Sequence, residues 1–303
     1  MAETPPIICV IVPTYNRRRQ LARTLEALSG QVFDRARFEV IVVDDGSKEP
    51  LDALVNPFKR TIQLRLLRQA HSNAATARNR GAAHAEARYL AFTDDDCLPA
   101  PDWLKSMEQR LTDSPDRMYA GHTVNNLVGS RCAAASQSVV DAVYDWHKCN
   151  PAQPRFFASN NIAMSAKCFQ TVGGFDGRFR FAEDREFCER WARCGFDMVY
   201  APEAVVYHEH VMSLGGLLRQ HFNYGRGAHA FHRAREARGS GQFELDGSFC
   251  LHMWRHSCRG QQLATGLTML TLVTAAQLAN AAGYLRETIA QNGSADRELS
   301  VPS

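Results

Sequence analysis

The sequence predicts an α/β fold built on a mostly parallel sheet flanked by helices. Apolar, β-rich runs at 7–12, 38–43, 62–67 and 89–92 alternate with helical stretches at 18–29, 51–58 and 73–86. Strands that alternate with helices form parallel sheets. The runs are continuous rather than alternately apolar and polar, as in strands buried on both faces. Ligands of such sheets bind beyond the carboxyl ends of the strands.

Three of these strands are followed by polar turns of unusual composition. Pro13-Thr14-Tyr15-Asn16 follows the first, Asp44-Asp45-Gly46-Ser47 the second and Asp94-Asp95-Asp96 the fourth, so three strand ends converge on one crevice. After Pro101 the pattern predicts a helix to about 111, a strand near 118–120, a less regular segment and a strand at 160–164. The turn GGFDGRF at 173–179 leads into a helix at 183–194, short strands at 198–200 and 205–207, and a long helix at 213–235. Gly239-Ser240-Gly241 marks a linker, and 260–285 carries no charge between Arg259 and Arg286.

Composition limits the function classes. A chain of 303 residues with 45% hydrophobic and 22% charged residues buries one large core or two modest ones. Its 35 basic residues nearly balance 32 acidic ones, which gives no reason to expect a nucleic-acid partner. The nine cysteines are odd in number and scattered, with no C-x-x-C pair, and read as free thiols of a reducing cytosol. The apolar run before Pro13 is too short for a secretory signal, so a cleaved export segment is not expected.

The chemistry concentrates in the acidic turn. On an extended chain Asp94 and Asp96 face the same side of the crevice, and clustered carboxylates repel unless a cation sits among them. Hard oxygen ligands suit Mg2+ or Mn2+, which bind through one or two carboxylates together with substrate phosphates. The competing reading is a solvated turn that caps the helix after Pro101.

VIVPTYNR, VIVVDDGS, ARNRGAA and FTDDD, in this order and spacing, resemble the nucleotide-binding half of family 2 glycosyltransferases with the GT-A fold. The run from Ser159 to Gly195 and the later VVYHEH resemble the acceptor half of that family. The resemblance implies a GT-A domain over 1–235, with a nucleotide-binding half at about 7–100 and an acceptor half at about 101–235. A helical C-terminal extension follows over 236–303. It implies transfer of a sugar from a nucleotide diphosphate, UDP first, to a hydroxyl of a glycan, lipid-linked or small-molecule acceptor, with inversion and with Mn2+ or Mg2+ as cofactor.

Residue by residue, the resemblance implies that Pro13 and Tyr15 frame the base, Asp45 hydrogen-bonds it and Arg78 lies near the nucleotide. Asp94 and Asp95 approach ribose or metal, and Asp96 holds the metal together with His208. Glu183-Asp184 matches an ED motif whose aspartate, Asp184, is the catalytic base. A carboxylate accepts a base N–H and an aromatic ring stacks on a base, which supports the first of these roles on physical grounds. Asp44 points away from its neighbour and is the weaker candidate. Other readings stay open: Tyr15 as core aromatic, Arg78 as surface ion-pair partner, Glu183 or Asp184 as helix cap, His208 or His210 as surface histidine. His210 shares a face with His208 on an extended chain, so the ligand is one or the other. Tyr224-Gly225-Arg226-Gly227 reads either as a cationic clamp on the diphosphate or as a helix kink.

Rival classes lack their own signatures. The turn after the first strand, PTYNRRR, has neither the glycine-rich phosphate loop of sugar nucleotidyltransferases nor the G-x-G-x-x-G of dinucleotide enzymes. A degenerate, non-catalytic sugar-nucleotide binder is the remaining alternative, opposed by the presence of both acidic sets. The run 263–285 is long enough to cross a bilayer, but its threonines, glutamine and asparagine dilute it; an interfacial, dimerising or packed helix fits equally. The expected location is cytoplasmic, at the inner membrane face if 260–285 associates with lipid.

Overall fold

The computed structural model describes residues 5–127, 129–149, 156–241 and 247–299. In chain order the elements are β1 (Ile8–Thr14), α1 (Arg18–Ser29), β2 (Phe38–Asp44), α2 (Asp52–Val55), β3 (Gln63–Arg68), α3 (Ala74–His84), β4 (Tyr89–Thr93), β5 (Cys97–Pro99) and α4 (Trp103–Asp113). There follow β6 (Met118–Asn125), α5 (Arg131–Cys149), β7 (Asn161–Ser165), α6 (Ala166–Val172), α7 (Glu183–Arg193), β8 (Met198–His208), α8 (Leu214–Ala237), α9 (Gly247–Cys258) and α10 (Leu263–Leu299). They group into two units, Met1–Asn126 with Arg155–His210, and Leu127–Pro154 with Val211–Ser303.

The first unit is organised by a sheet in the order β3-β2-β1-β4-β7-β6-β8-β5. β3, β2, β1 and β4 run parallel, as the alternation of strands and helices predicts. Beyond them the sheet is mixed, because β7 is antiparallel to both β4 and β6 and β5 is antiparallel to β8. Every residue of β1, β2 and β4 is buried, the expected consequence of helices on both faces. Each fully buried Val, Ile or Leu there contributes about 1.5–3 kcal/mol of transfer free energy. α1 buries Leu21, Thr24, Leu25 and Leu28, one stripe at helical spacing. α3 buries Ala75, Ala77 and Gly81, and a Cβ on Gly81 would lie 2.5 Å from Ile11 Cγ2, so small residues let this helix lie close on the sheet.

Several local expectations change. The helix expected at 51–58 is the short α2 followed by a single 3-10 turn at Phe58–Arg60, because Pro57 cannot continue the α-helical hydrogen bonds. The two short strands expected at 198–200 and 205–207 are one strand, β8, whose register against β6 slips between Gly121 and His122. The segment read as less regular contains the long helix α5. Ala135, Val139, Ala142 and Val143 recur there at helical spacing, and the first three pack on one core.

The second unit is helical, and within it α8 pairs with α10. A Cβ on Gly225 would lie 1.8 Å from the Asn280 carbonyl oxygen, and one on Gly283 would lie 1.9 Å from that of Phe222. The two backbones therefore cross where neither helix carries a side chain, and Arg226 pairs with Glu287 beside the crossing. This replaces both readings of Tyr224-Gly225-Arg226-Gly227: the tetrapeptide lies inside a continuous helix, and its first glycine is a packing position. Ala135, Ala142, Met253, Met269 and Val273 form one core of the unit, and Ala133, Met212, Leu217 and Ala276 another. On α10, Leu263, Leu267, Leu278, Leu285 and Ile289 remain 57–82% exposed.

Gly225→Ala is expected to destabilise the protein by about 1–3 kcal/mol, the usual cost of overpacking. Gly215→Ala, near the start of the same helix where the nearest atom to a new Cβ is 4.0 Å away, is expected to be neutral or stabilising. Urea unfolding of the two variants checks this; equal midpoints would show that the crossing is not tight.

Candidate functional site

The site forms where β1, β2 and β4 end. The turn after β1 reverses at Asn16, whose backbone is left-handed at φ 55°. Ser47 Oγ accepts from Asn16 N at 2.9 Å and Asn16 Oδ1 accepts from Lys48 N at 2.8 Å, so the turns after β1 and β2 are clamped together. Gly46 has φ 82°, and a Cβ there would meet the His71 backbone nitrogen at 2.8 Å, so glycine is required. Asp44 closes this turn by accepting from Ser47 N at 2.8 Å.

Asp45 is buried and its carboxylate is well engaged. Oδ1 accepts from Gln69 Nε2 at 2.6 Å and Ser72 N at 3.0 Å, and His71 Nδ1 lies 3.0 Å from Oδ2. The His71 ring stacks on Tyr15 with centroids 4.0 Å apart and planes at 17°. Tyr15 is 40% exposed and is no core aromatic, and one of its faces is covered by His71. Pro13 is buried within β1 opposite Val43 and carries the chain into this turn.

The three aspartates after β4 have distinct surroundings. Asp94 is half-buried and receives Arg78 Nη2 at 2.7 Å. Asp95 is buried; Oδ2 accepts from Thr14 Oγ1 at 2.7 Å and Oδ1 from Arg17 Nη1 at 3.1 Å. Burial pushes its carboxyl up to about 6 in spite of Arg17. Asp96 is buried as well, and Arg17 Nη1 donates to its Oδ2 at 2.9 Å. Thr24 Oγ1 supports the turn from below, within 2.9 Å of the Asp95 carbonyl and 2.8 Å of that of Cys97.

β5 brings the histidines to Asp96, because Cys97 pairs with His208 across the sheet and Glu209 N donates to the Asp96 carbonyl at 2.9 Å. His208 Nε2 then lies 3.4 Å from Asp96 Oδ1 and His210 Nδ1 3.2 Å from Oδ2, so both histidines converge on this carboxylate. Burial alone would raise the Asp96 carboxyl, but the contacts from His208, His210 and Arg17 hold it far below the ordinary carboxylate range. Burial would likewise lower the His208 imidazole, and Asp96 raises it instead. One carboxylate and two imidazoles, with donor atoms within 4.8 Å of one another, fit a divalent ion that accepts mixed nitrogen and oxygen ligands.

Arg78 is 3% exposed and joins the aspartate turn to the later acidic pair: Nη2 donates to Asp94 and Nη1 to Glu183 Oε1 at 2.9 Å. It is thus a buried ion-pair partner rather than a surface one. α7 begins at Glu183 after Ala182, a non-glycine residue at φ 63° that makes no side-chain cap. Such a left-handed residue is uncommon and is retained where the surroundings over-determine it, often at functional sites. Asp184 is half-buried; Oδ1 accepts from Arg185 N at 2.8 Å. Burial, then the charge of Glu183, pushes its carboxyl well above the ordinary range.

Arg17, His71 and Glu209 were not evident as site residues from sequence. Glu209 accepts from Asn126 Nδ2 at 2.7 Å and pairs with Arg23. Only for Arg17 is there a signal in the chain: it is the first of three consecutive arginines in a turn that faces three aspartates.

Residues 9–171 match the family model described as Glycosyl transferase family 2. The chain is 24% identical over 236 residues to glycosyltransferase AglE of Haloferax volcanii, covering 75% of this chain and 74% of that protein. It is 28% identical over 227 residues to the pre-mycofactocin glycosyltransferase of Mycobacterium tuberculosis, covering 73% of this chain but 46% of that protein. Among solved structures it resembles the mannosyltransferase PcManGT from Pyrobaculum calidifontis, solved in complex with GDP-Man and Mn2+. That likeness has a TM-score of 0.60 at 22% identity, over 99% of this chain and 82% of the other.

Proposed function

The chain belongs to glycosyl transferase family 2, and from that premise we propose that it moves a sugar from a nucleotide diphosphate to an acceptor hydroxyl with inversion, Asp184 serving as general base. The observation that carries this reading is the Asp94–Arg78–Glu183 bridge, which brings the turn suited to the donor and the start of α7 into one site. The acceptor oxygen attacks the anomeric carbon from the face opposite the diphosphate, the bond from that carbon to the diphosphate oxygen breaks, and the hydroxyl proton passes to the Asp184 carboxylate. Glu183 is committed to Arg78, whereas Asp184 accepts a single hydrogen bond from its own neighbour, so Asp184 is the better placed of the two. A raised carboxyl also gives a stronger base at neutral pH.

Pro13, Tyr15 and Asp45 form the base end of the donor site in this reading, and Asp94 and Asp95 face the ribose and diphosphate. Arg78 acts as a positioning residue. A divalent ion, Mn2+ or Mg2+, would be held by Asp96, with His208 or His210 as a further ligand where the ion is Mn2+, and would neutralise charge on the departing diphosphate. Arg17 supplies a fixed positive charge at the same carboxylates. UDP is the first donor base by the resemblance; the ligand of the Pyrobaculum enzyme makes GDP-sugars the second set to screen.

We also propose that α10 lies on a membrane surface rather than through it. Residues 263–291 are long and apolar enough to span, but Val273 and Ala276 are fully buried and Gly283 is pressed against α8. One face is therefore already committed to protein, and the face with Leu278 and Leu285 is left open to a lipid surface. Leu278→Glu with Leu285→Glu should release the protein from co-sedimentation with anionic vesicles while leaving its unfolding midpoint unchanged. Wild-type protein that stays wholly in the supernatant would rule the idea out.

Asp184→Asn is expected to lower kcat by about 10²–10⁴ with donor affinity within a few-fold of wild type, since the amide keeps the shape but takes no proton. Because the base must be ionised, wild-type kcat/KM should fall with acidity at a pH well above that of an ordinary carboxylate. Glu183→Gln, which removes the neighbouring charge, should retain transfer and move this limb to lower pH. Near-normal turnover by Asp184→Asn would refute the assignment, and equal loss from Glu183→Gln would move the base to Glu183.

A further inference from the structure

A second set of metal-ligating side chains lies within the helical unit and belongs to nothing described above. α9 carries His252 and His256, four residues apart and so on one face of the helix, and α5 presents Asp145 to that face. One ligand atom from each of the three lies within 4.8 Å of the others. His252 Nε2 is 3.5 Å and His256 Nδ1 3.6 Å from the same oxygen, Asp145 Oδ2.

These distances separate two explanations. A charge-assisted hydrogen bond from imidazole to carboxylate closes to about 2.7–2.9 Å, and both separations are too long for one. They are close to the edge of a tetrahedron about a metal: ligand bonds of about 2.0–2.1 Å place neighbouring donor atoms about 3.4 Å apart. His252 Nε2 is also shielded from solvent and has no hydrogen-bond partner, a condition buried polar atoms rarely tolerate. The helices are held at this spacing independently, by the shared core of Ala135, Ala142 and Met253 and by the hydroxyl contact of Ser138 with Ser257 at 2.8 Å. The Trp146 ring, 5.3 Å from the His252 ring between centroids, restricts the imidazole further.

We propose that Asp145, His252 and His256 bind a divalent cation of the zinc class, which fastens α5 to α9 and keeps its fourth position for water. Two imidazoles and one carboxylate suit zinc and its neighbours in the first transition row, whereas magnesium and calcium prefer all-oxygen sets. Asp96 with His208 and His210 presents the same donor types, so a test must silence that set first.

The experiment uses the full-length chain carrying Asp96→Asn, stripped with chelator and titrated with zinc alone against a chromophoric competitor at micromolar protein. One equivalent of zinc should bind and raise the thermal unfolding midpoint, since a ligand held only by the folded state stabilises it. Adding Asp145→Asn, which preserves side-chain size, or His252→Ala with His256→Ala, should remove both the equivalent and the zinc-dependent rise. Cobalt in place of zinc should show the intense visible bands of a four-coordinate ion, lost in the same variants. Should the histidine variant fail to fold, Asp145→Asn and the cobalt spectrum still decide the matter. The proposal is overturned if the Asp96→Asn chain binds no zinc, or if zinc binding survives Asp145→Asn undiminished.

Discussion

One buried guanidinium constrains the first unit. Arg78 lies between Asp94, at the end of β4, and Glu183, at the start of α7, residues far apart in the chain. Removing one partner from a buried ion pair typically costs about 3–5 kcal/mol, because the charge left behind has no compensation. The surroundings are arranged to admit it: α3 carries alanines and a glycine on the face that meets the sheet, and Ala182 accepts a left-handed backbone so that α7 starts where Glu183 can reach. Arg17, whose side chain is partly exposed, pairs with both Asp95 and Asp96. Carboxylates can be gathered at the ends of buried parallel strands only because two arginines are gathered with them.

The second unit meets a different constraint with different means. The association of its helices rests on close backbone approach at Gly225 and Gly283 and on small cores of alanine, methionine, valine and leucine. Such packing leaves larger apolar side chains of α10 facing outward. A metal clip between α5 and α9 would supplement a core of this kind.

Much of this was legible in the sequence, for physical reasons that differ by element. The parallel strands are continuous apolar runs of near-uniform burial, which periodicity detects directly, and the acidic turns stand out because clustered carboxylates at strand ends are costly. Arg17 was obscured because its position depends on the reversal at Asn16 and on carboxylates 78 and 79 residues away. His71 was hidden for a similar reason: its stacking on Tyr15 exists only once the turns after β1 and β2 are clamped together. α5 escaped notice because the residues of its stripe, Ala135, Val139, Ala142 and Val143, are small and contrast weakly with their neighbours. Gly225 invited a functional reading because its actual partner, the Asn280 carbonyl, lies on another helix.

In the proposed function, the crevice at the strand ends holds a metal–diphosphate pair at Asp96. Calorimetric binding of a nucleoside diphosphate, with and without Mn2+, to wild-type and Asp96→Asn protein tests it most directly. Wild-type protein is expected to bind tightly and only with Mn2+, and a folded Asp96→Asn variant to bind weakly and independently of metal. Equal affinity and equal metal dependence in the two proteins would contradict it.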